Sequence, residues 1–152
     1  MYKSILVPMN DSLASMSALY KAHRLAQREN AQLHLLHVVE PRDTGDVIGE
    51  ALGAPIHQMD AQDCARAEAS LDSWWKKVNQ PRGEVNLVVK SGKIDEAISE
   101  EVGRLEVDII IMGSTKATHK WRGILLKVQR KVSCGLVVIN EREDIVLEHF
   151  PS

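Results

Sequence analysis

The sequence predicts an α/β fold, a five-stranded parallel sheet sandwiched by four helices and doubly wound. Two observations carry the prediction. Short runs of Ile, Leu and Val recur along the chain with little polar alternation, as strands buried on both faces do. Longer stretches between them return an apolar residue every three or four positions, the period of an amphipathic helix. Such alternation builds parallel sheets with right-handed crossovers, whose ligands sit at the carboxyl ends of the strands. At 152 residues, 44% hydrophobic and 26% charged, the chain has the size and composition of one globular domain. That domain is expected at residues 1–140, with a polar tail at 141–152.

Each element follows from its residues. Ser4–Met9 (SILVPM) is the first strand, ended by Asn10, Asp11 and Ser12, with Ser12 as a candidate N-cap. Ala14, Ala18, Ala22, Leu25 and Ala26 then mark a helix to about Asn30. Gln32–Val39 (QLHLLHVV) is the second strand, stopped before Pro41. Residues 41–57 are rich in Gly, Pro and acids and read as a loop or lid. Ala61, Cys64, Leu71, Trp75 and Val78 mark the second helix; Trp75 fits its core stripe and Trp74 the border. Glu84–Lys90 is the third strand, Ser91-Gly92 a turn, and Ile94, Ala97, Ile98, Val102 and Leu105 the third helix. Asp108–Met112 is the fourth strand, ending at Gly113, and residues 114–122 are a basic loop. Ile124, Leu125, Val128 and Val132 suggest the fourth helix and Leu136–Ile139 the fifth strand. A short apolar patch, Ile145–Leu147, interrupts the tail.

Several function classes are disfavoured. No stretch reaches the ~18 apolar residues of a membrane helix, and the first ten residues lack the apolar core of a secretory signal, so the expected compartment is the cytoplasm. Cys64 and Cys134 lie far apart with no metal-ligand spacing and read as structural thiols. His34 and His37 fall on opposite faces of one strand, which makes them poor joint metal ligands; His37 lies near the strand ends, where it could touch a ligand or serve structure alone. No GxSxG, Walker A or GxGxxG pattern occurs. Neither a catalytic constellation nor a metal site emerges, so binding is expected rather than turnover.

Charge points to an anion. The formal net charge is −2, but residues 109–140 hold no acid and six positive residues, Lys116, Lys120, Arg122, Lys127, Arg130 and Lys131. The remaining chain therefore carries −8. A block of one sign focuses anions into a cleft, or is simply a solvated helix face. Nucleic acid is disfavoured, because aromatic residues for base stacking are only 4% of the chain. Two turns could hold the anion. Asn10, Asp11 and Ser12 offer polar groups at a helix start, for a ribose or phosphate or as a plain cap. Gly113 permits close backbone approach, Ser114, Thr115 and Thr118 carry hydroxyls, and Gly123 is read as the start of the fourth helix.

These residues resemble the universal stress protein family across about residues 2–140. The opening YKSILVPMNDS, the stretch ALYKAHRLAQRENAQLHLLHVVEP, the segment SGKIDEAISEEVGRLEVDIIIMGS and the final SCGLVVI carry the likeness together, through their order and spacing. The resemblance implies an adenine nucleotide α-hydrolase-like sandwich that commonly dimerises through its last strand, here Leu136, Val137, Val138 and Ile139. It also implies ATP or AMP as a ligand in those members with a Gly-x2-Gly-x9-Gly-Ser/Thr pattern after the fourth strand. Gly113 matches the first glycine, Lys116 occupies the second, and counting on reaches Leu126 and Lys127. Gly123 fits the third only if the loop is shortened, with Ile124 then in place of the hydroxyl residue. The family's acid after the first strand falls on Asn10, with Asp11 adjacent. The carried-over contacts are Pro8, Asn10, Asp11, Val39, Gly113, Ser114, Lys116 and Gly123. The implied function is a stress-response binding or signalling homodimer with an atypical adenine-nucleotide or other anion site. The alternative is a weak ATPase or nucleotide-handling enzyme of the same fold. A phosphoacceptor receiver domain is disfavoured, since Lys90-Ser91 stand where an acid would be needed.

Overall fold

A computed structural model describes residues 1–40, 61–78, 85–114 and 119–151. The predicted lid at 41–57, Thr115, Lys116 and Thr118 lie outside them, as do Pro81 and Glu84. The elements are β1 (Ser4–Pro8), α1 (Leu13–Glu29), β2 (Gln32–Val39), α2 (Ala61–Val78), β3 (Val85–Ser91), α3 (Ile94–Arg104), β4 (Ile109–Gly113), α4 (His119–Lys131), β5 (Gly135–Ile139) and β6 (Ile145–His149).

One sheet of six strands runs in the order β3-β2-β1-β4-β5-β6. The first five are parallel; β6 pairs antiparallel with β5. This corrects the expected five strands. The tail patch Ile145–Leu147 opens a sixth strand, which continues the sheet beyond β5. It also corrects the premise of the expected dimer. Leu136, Val137, Val138 and Ile139 are not at a sheet edge, because β4 pairs on one side and β6 on the other.

Strand residues alternate between two cores, as the period of two requires. Ile5, Val7, Leu35, Ile111 and Ile139 pack with Leu19, Leu71 and Trp75 on the α1/α2 face. Leu6, Leu36, Ile110 and Val138 pack with Ile98, Val128 and Val132 on the α3/α4 face. Burial on both faces explains why these strands read as apolar runs. Trp74 is buried too, at 8% exposure, against 1% for Trp75. Cys134 is a buried free thiol whose burial pushes its pKa up to about 11, which suits a structural role. Within β5, Gly135 faces β6, and the Phe150 ring lies 2.9 Å from where a Cβ would stand. The ring fills the space that the glycine leaves.

The helix ends are defined locally. Ser12 is the α1 N-cap, its side chain accepting from Ser15 N, and Asn30 closes the helix at φ 53°. Asp95 and Glu96 lie in the first turn of α3, where carboxylates favour the helix dipole. Lys131 Nζ reaches Asp95 at 2.6 Å and ties the end of α4 to the start of α3. That hydrogen bond holds the Asp95 carboxyl below its ordinary pKa.

Candidate functional site at the strand ends

The strand order reverses between β1 and β4. Strand β1 leads through α1 to β2 on one side, while β3 leads through α3 to β4 on the other. The crevice at the carboxyl ends of such strands is where a parallel sheet presents its ligand. Here it holds a cavity of about 60 Å³. Met9, Leu36, Val38 and Met112 supply apolar wall, and Asn10, Ser15 and His37 the polar side chains.

The turn after β1 is a closed hydrogen-bond circuit. Asn10 Oδ1 accepts from Ser12 N at 3.0 Å and from Ser12 Oγ at 2.5 Å. Ser12 Oγ accepts from Ser15 N at 3.1 Å, and Ser15 Oγ accepts from Asn10 N at 2.9 Å. The two readings of this turn therefore resolve in part: Ser12 caps α1, and the Asn10 carbonyl serves the turn. That use fixes the Asn10 amide orientation. Asp11 is exposed and does not line the crevice.

His37 closes the neighbouring wall. Its Nδ1 lies 3.0 Å from the Met9 carbonyl oxygen. A carbonyl only accepts, so Nδ1 carries the proton and Nε2 of the neutral ring is an acceptor. The ring also meets Trp74 edge-on, with centroids 5.4 Å apart. Among the described residues, His37 Nε2 and Asn10 Nδ2 have no hydrogen-bond partner. The crevice thus offers one acceptor and one amide donor between apolar walls. His34, on the opposite face, is 2% exposed and bonds Asn86 instead.

The expected site residues divide. Pro8, Asn10 and Gly113 come together at the crevice. Val39 does not line it; its carbonyl accepts from Gly92 N at 3.1 Å beside β3. Ser114 also lies apart, with its backbone N–H donating to Ile139 O at 2.7 Å. Gly123 corrects the sequence reading. Helix α4 begins at His119, so Gly123 stands inside it rather than at its free N–H groups. Gly113 does need to be glycine, but for packing. A Cβ there would lie 2.4 Å from Ala14 C and 2.5 Å from Ser15 N, in the first turn of α1. Met9 and Val38 line it as the strand ends predict, whereas Ser15, Leu36, Ile94 and Met112 are not expected there from the sequence. They are ordinary strand and helix-start residues, and only the strand order brings them to one place.

No group of three or more His, Cys, Asp or Glu that could hold a metal occurs among the described residues. No helix among them is long and apolar enough to cross a membrane.

Known proteins share this architecture. The model of the universal stress protein family matches residues 1–138. Universal stress protein A homolog 2 of Coxiella burnetii is 32% identical over 132 residues, 82% of this chain and 81% of that protein. Among solved structures, universal stress protein UspA from Lactobacillus plantarum is 24% identical with a TM-score of 0.67, covering 91% of this chain and 97% of its own. The universal stress protein from Archaeoglobus fulgidus in complex with dAMP is 15% identical with a TM-score of 0.63, covering 90% of this chain and 97% of its own. The chain belongs to the universal stress protein family.

Proposed function

We propose that the β1/β4 crevice is an atypical adenine-nucleotide site, and that the chain works by binding rather than by turnover. One observation carries the reading. At the switch point, the free Asn10 amide donor and the free His37 Nε2 acceptor stand on apolar walls. An aminopurine edge offers an acceptor beside a donor, the complement of that pair, and its flat faces suit Met9, Leu36 and Met112. The relative solved with dAMP supports the class of ligand. The cavity of about 60 Å³ is far below the ~300–1,000 Å³ of sites that enclose a small molecule. It takes one edge of the base, and the sugar and phosphate lie across the mouth. A cytoplasmic setting fits the two unbridged thiols, Cys64 and Cys134.

Titration calorimetry tests this. AMP should bind one to one, and His37→Phe should weaken it at least tenfold while circular dichroism stays unchanged. Mg·ATP should bind no more tightly than AMP, because Lys116 replaces a glycine whose bare backbone would approach a polyphosphate. Absence of heat with every adenine nucleotide, or steady phosphate release from Mg·ATP, would overturn the proposal.

A further inference from the structure

We propose that the hollow at the amino end of the sheet is a second ligand site, which takes a small aliphatic α-amino acid. It lies at the opposite end of the strands from the β1/β4 crevice and does not depend on the nucleotide reading. The first support is size. The hollow of about 500 Å³ falls within the ~300–1,000 Å³ of small-molecule sites. It opens where β2 and β3 begin and α3 ends.

The second support is a buried donor without a partner. His34 lines the hollow and is 2% exposed. Asn86 Nδ2 lies 3.0 Å from its Nδ1. An amide nitrogen only donates, so Nδ1 accepts. Burial, and after it Arg104, hold the ring below its ordinary pKa with Glu101 opposing, so the ring is neutral near neutral pH. Its one proton therefore sits on Nε2, and this N–H has no partner among the described residues. A buried donor left unmade is costly, and an acceptor on a ligand removes that cost.

The third support is charge. Glu101 is 2% exposed, and its Oε2 accepts from Arg104 Nε at 2.7 Å and from Nη2 at 2.6 Å. Lys90 Nζ stands 3.4 Å from Glu101 Oε1 and also pairs with Glu100. These two cations and two carboxylates cancel. Arg104 keeps its Nη1 uncommitted among the described residues, and Glu106, also lining the hollow, has no ion pair among them.

The hollow thus presents a lone N–H and a half-free guanidinium to a pair of acceptors, and an unmatched carboxylate to a cation. A simple anion would be repelled by Glu106, and a simple cation would leave His34 unsatisfied. An α-amino acid carries both partners: its carboxylate accepts from His34 Nε2 and Arg104, and its ammonium donates to Glu106. Val85 and Leu105 supply apolar wall for an aliphatic side chain.

Histidine side-chain NMR of the full chain, with L-leucine as the probe, tests this. The free protein should show His34 protonated at Nε2. Millimolar L-leucine should shift that signal saturably and raise the melting temperature. Leucine methyl ester, which lacks the carboxylate charge, and isocaproate, which lacks the amine, should each bind at least tenfold more weakly. His34→Leu should abolish the gain in melting temperature. Glu106→Gln, an exposed change, should weaken leucine binding and leave that of isocaproate as it was. Saturating AMP and His37→Phe should leave leucine binding unchanged, so failure of the nucleotide reading would not touch this one. An unmoved His34 signal, analogues that bind as well as leucine, or competition by AMP would each overturn the proposal. If His34→Leu does not fold, Glu106→Gln decides: weaker leucine binding supports the site, and unchanged binding refutes it.

Discussion

The two ends of the sheet each hold a hollow, built in opposite ways. At the carboxyl end the cavity is only about 60 Å³, and the backbone and side chains around it are committed to one another. At the amino end a hollow of about 500 Å³ lies among Gln32, His34, Val85, Asn86, Arg104 and Glu106. It is lined by a residue in the left-handed region, Glu106 at φ 50°, and by a histidine whose buried Nε2 lacks a partner. Volume is therefore a poor guide to the site in this molecule. The tight end has strand termini, a helix cap and two free polar atoms aligned by bonds. The roomy end has a buried polar group left unsatisfied, which costs stability.

The largest test of this contrast is Gly113→Ala. The new Cβ would meet α1 backbone at 2.4–2.6 Å. Backbone cannot rotate away as a side chain can, so β4 and α1 must separate. The expected loss is roughly 3 kcal/mol, at the upper end of overpacking effects, read from urea denaturation. A loss below about 1 kcal/mol would mean that the carboxyl end is looser than described.

Acid probes the other end. Burial holds the His34 pKa below 6.5, Arg104 lowers it further, and Glu101 opposes them. The unfolded chain therefore takes up a proton that the folded chain resists. Stability is full above the unfolded value near 6.5 and falls as the pH drops below it. One such group gives at most about 1.4 kcal/mol per pH unit. His23, also held low by burial and by Arg24, acts with the same sign. His34→Leu should thus flatten, without abolishing, the decline between about pH 6.5 and 5. An unchanged slope would show that His34 is already solvated.

Much of the fold was legible because burial on both faces leaves a plain record. β1, β4 and β5 are apolar runs since both faces are buried, with Ser4 admitted because its hydroxyl donates to Leu105 O. β6 left no such record. Ile145 and Val146 are half exposed, and charged neighbours make a half-buried edge strand look like a tail. That omission moved the sheet edge by one strand. The site was legible only where local chemistry sufficed. The Asn10–Ser12 turn could be read as a cap or a ligand turn, and its hydrogen bonds confirm the cap. Gly113 could be read as a close approach, but the backbone it approaches belongs to Ala14 and Ser15, nearly the whole sheet away in sequence. His37 could not be weighed without knowing that its Nδ1–H donates to Met9 O.

Ser12→Ala isolates the cap from the rest of the carboxyl end. It removes the acceptor for Ser15 N and the donor to Asn10 Oδ1. Loss of an N-cap costs about 1 kcal/mol. Asn10 Oδ1 then keeps only its bond from Ser12 N and is held less firmly, so AMP affinity should fall more than stability does. Calorimetry and thermal melts on the same variant separate the two effects, and equal changes would show that Asn10 is not held for a ligand.

Gly123→Ala carries the smallest effect and the opposite sign. Gly123 lies inside α4, and nothing stands within 4 Å of a Cβ placed there. A helical glycine exposes backbone and loses more chain entropy on folding than alanine does. The substitution should therefore stabilise the protein by roughly 0.5–1 kcal/mol and leave AMP binding unchanged. Gly113 and Gly123 are the two positions that a glycine-loop reading would treat alike. If Gly123→Ala instead abolished AMP binding without lowering the melting temperature, a phosphate would have to approach the α4 backbone at that point. The site would then extend from the β4 end along α4, and the contrast between the two glycines would be one of ligand contact rather than of packing.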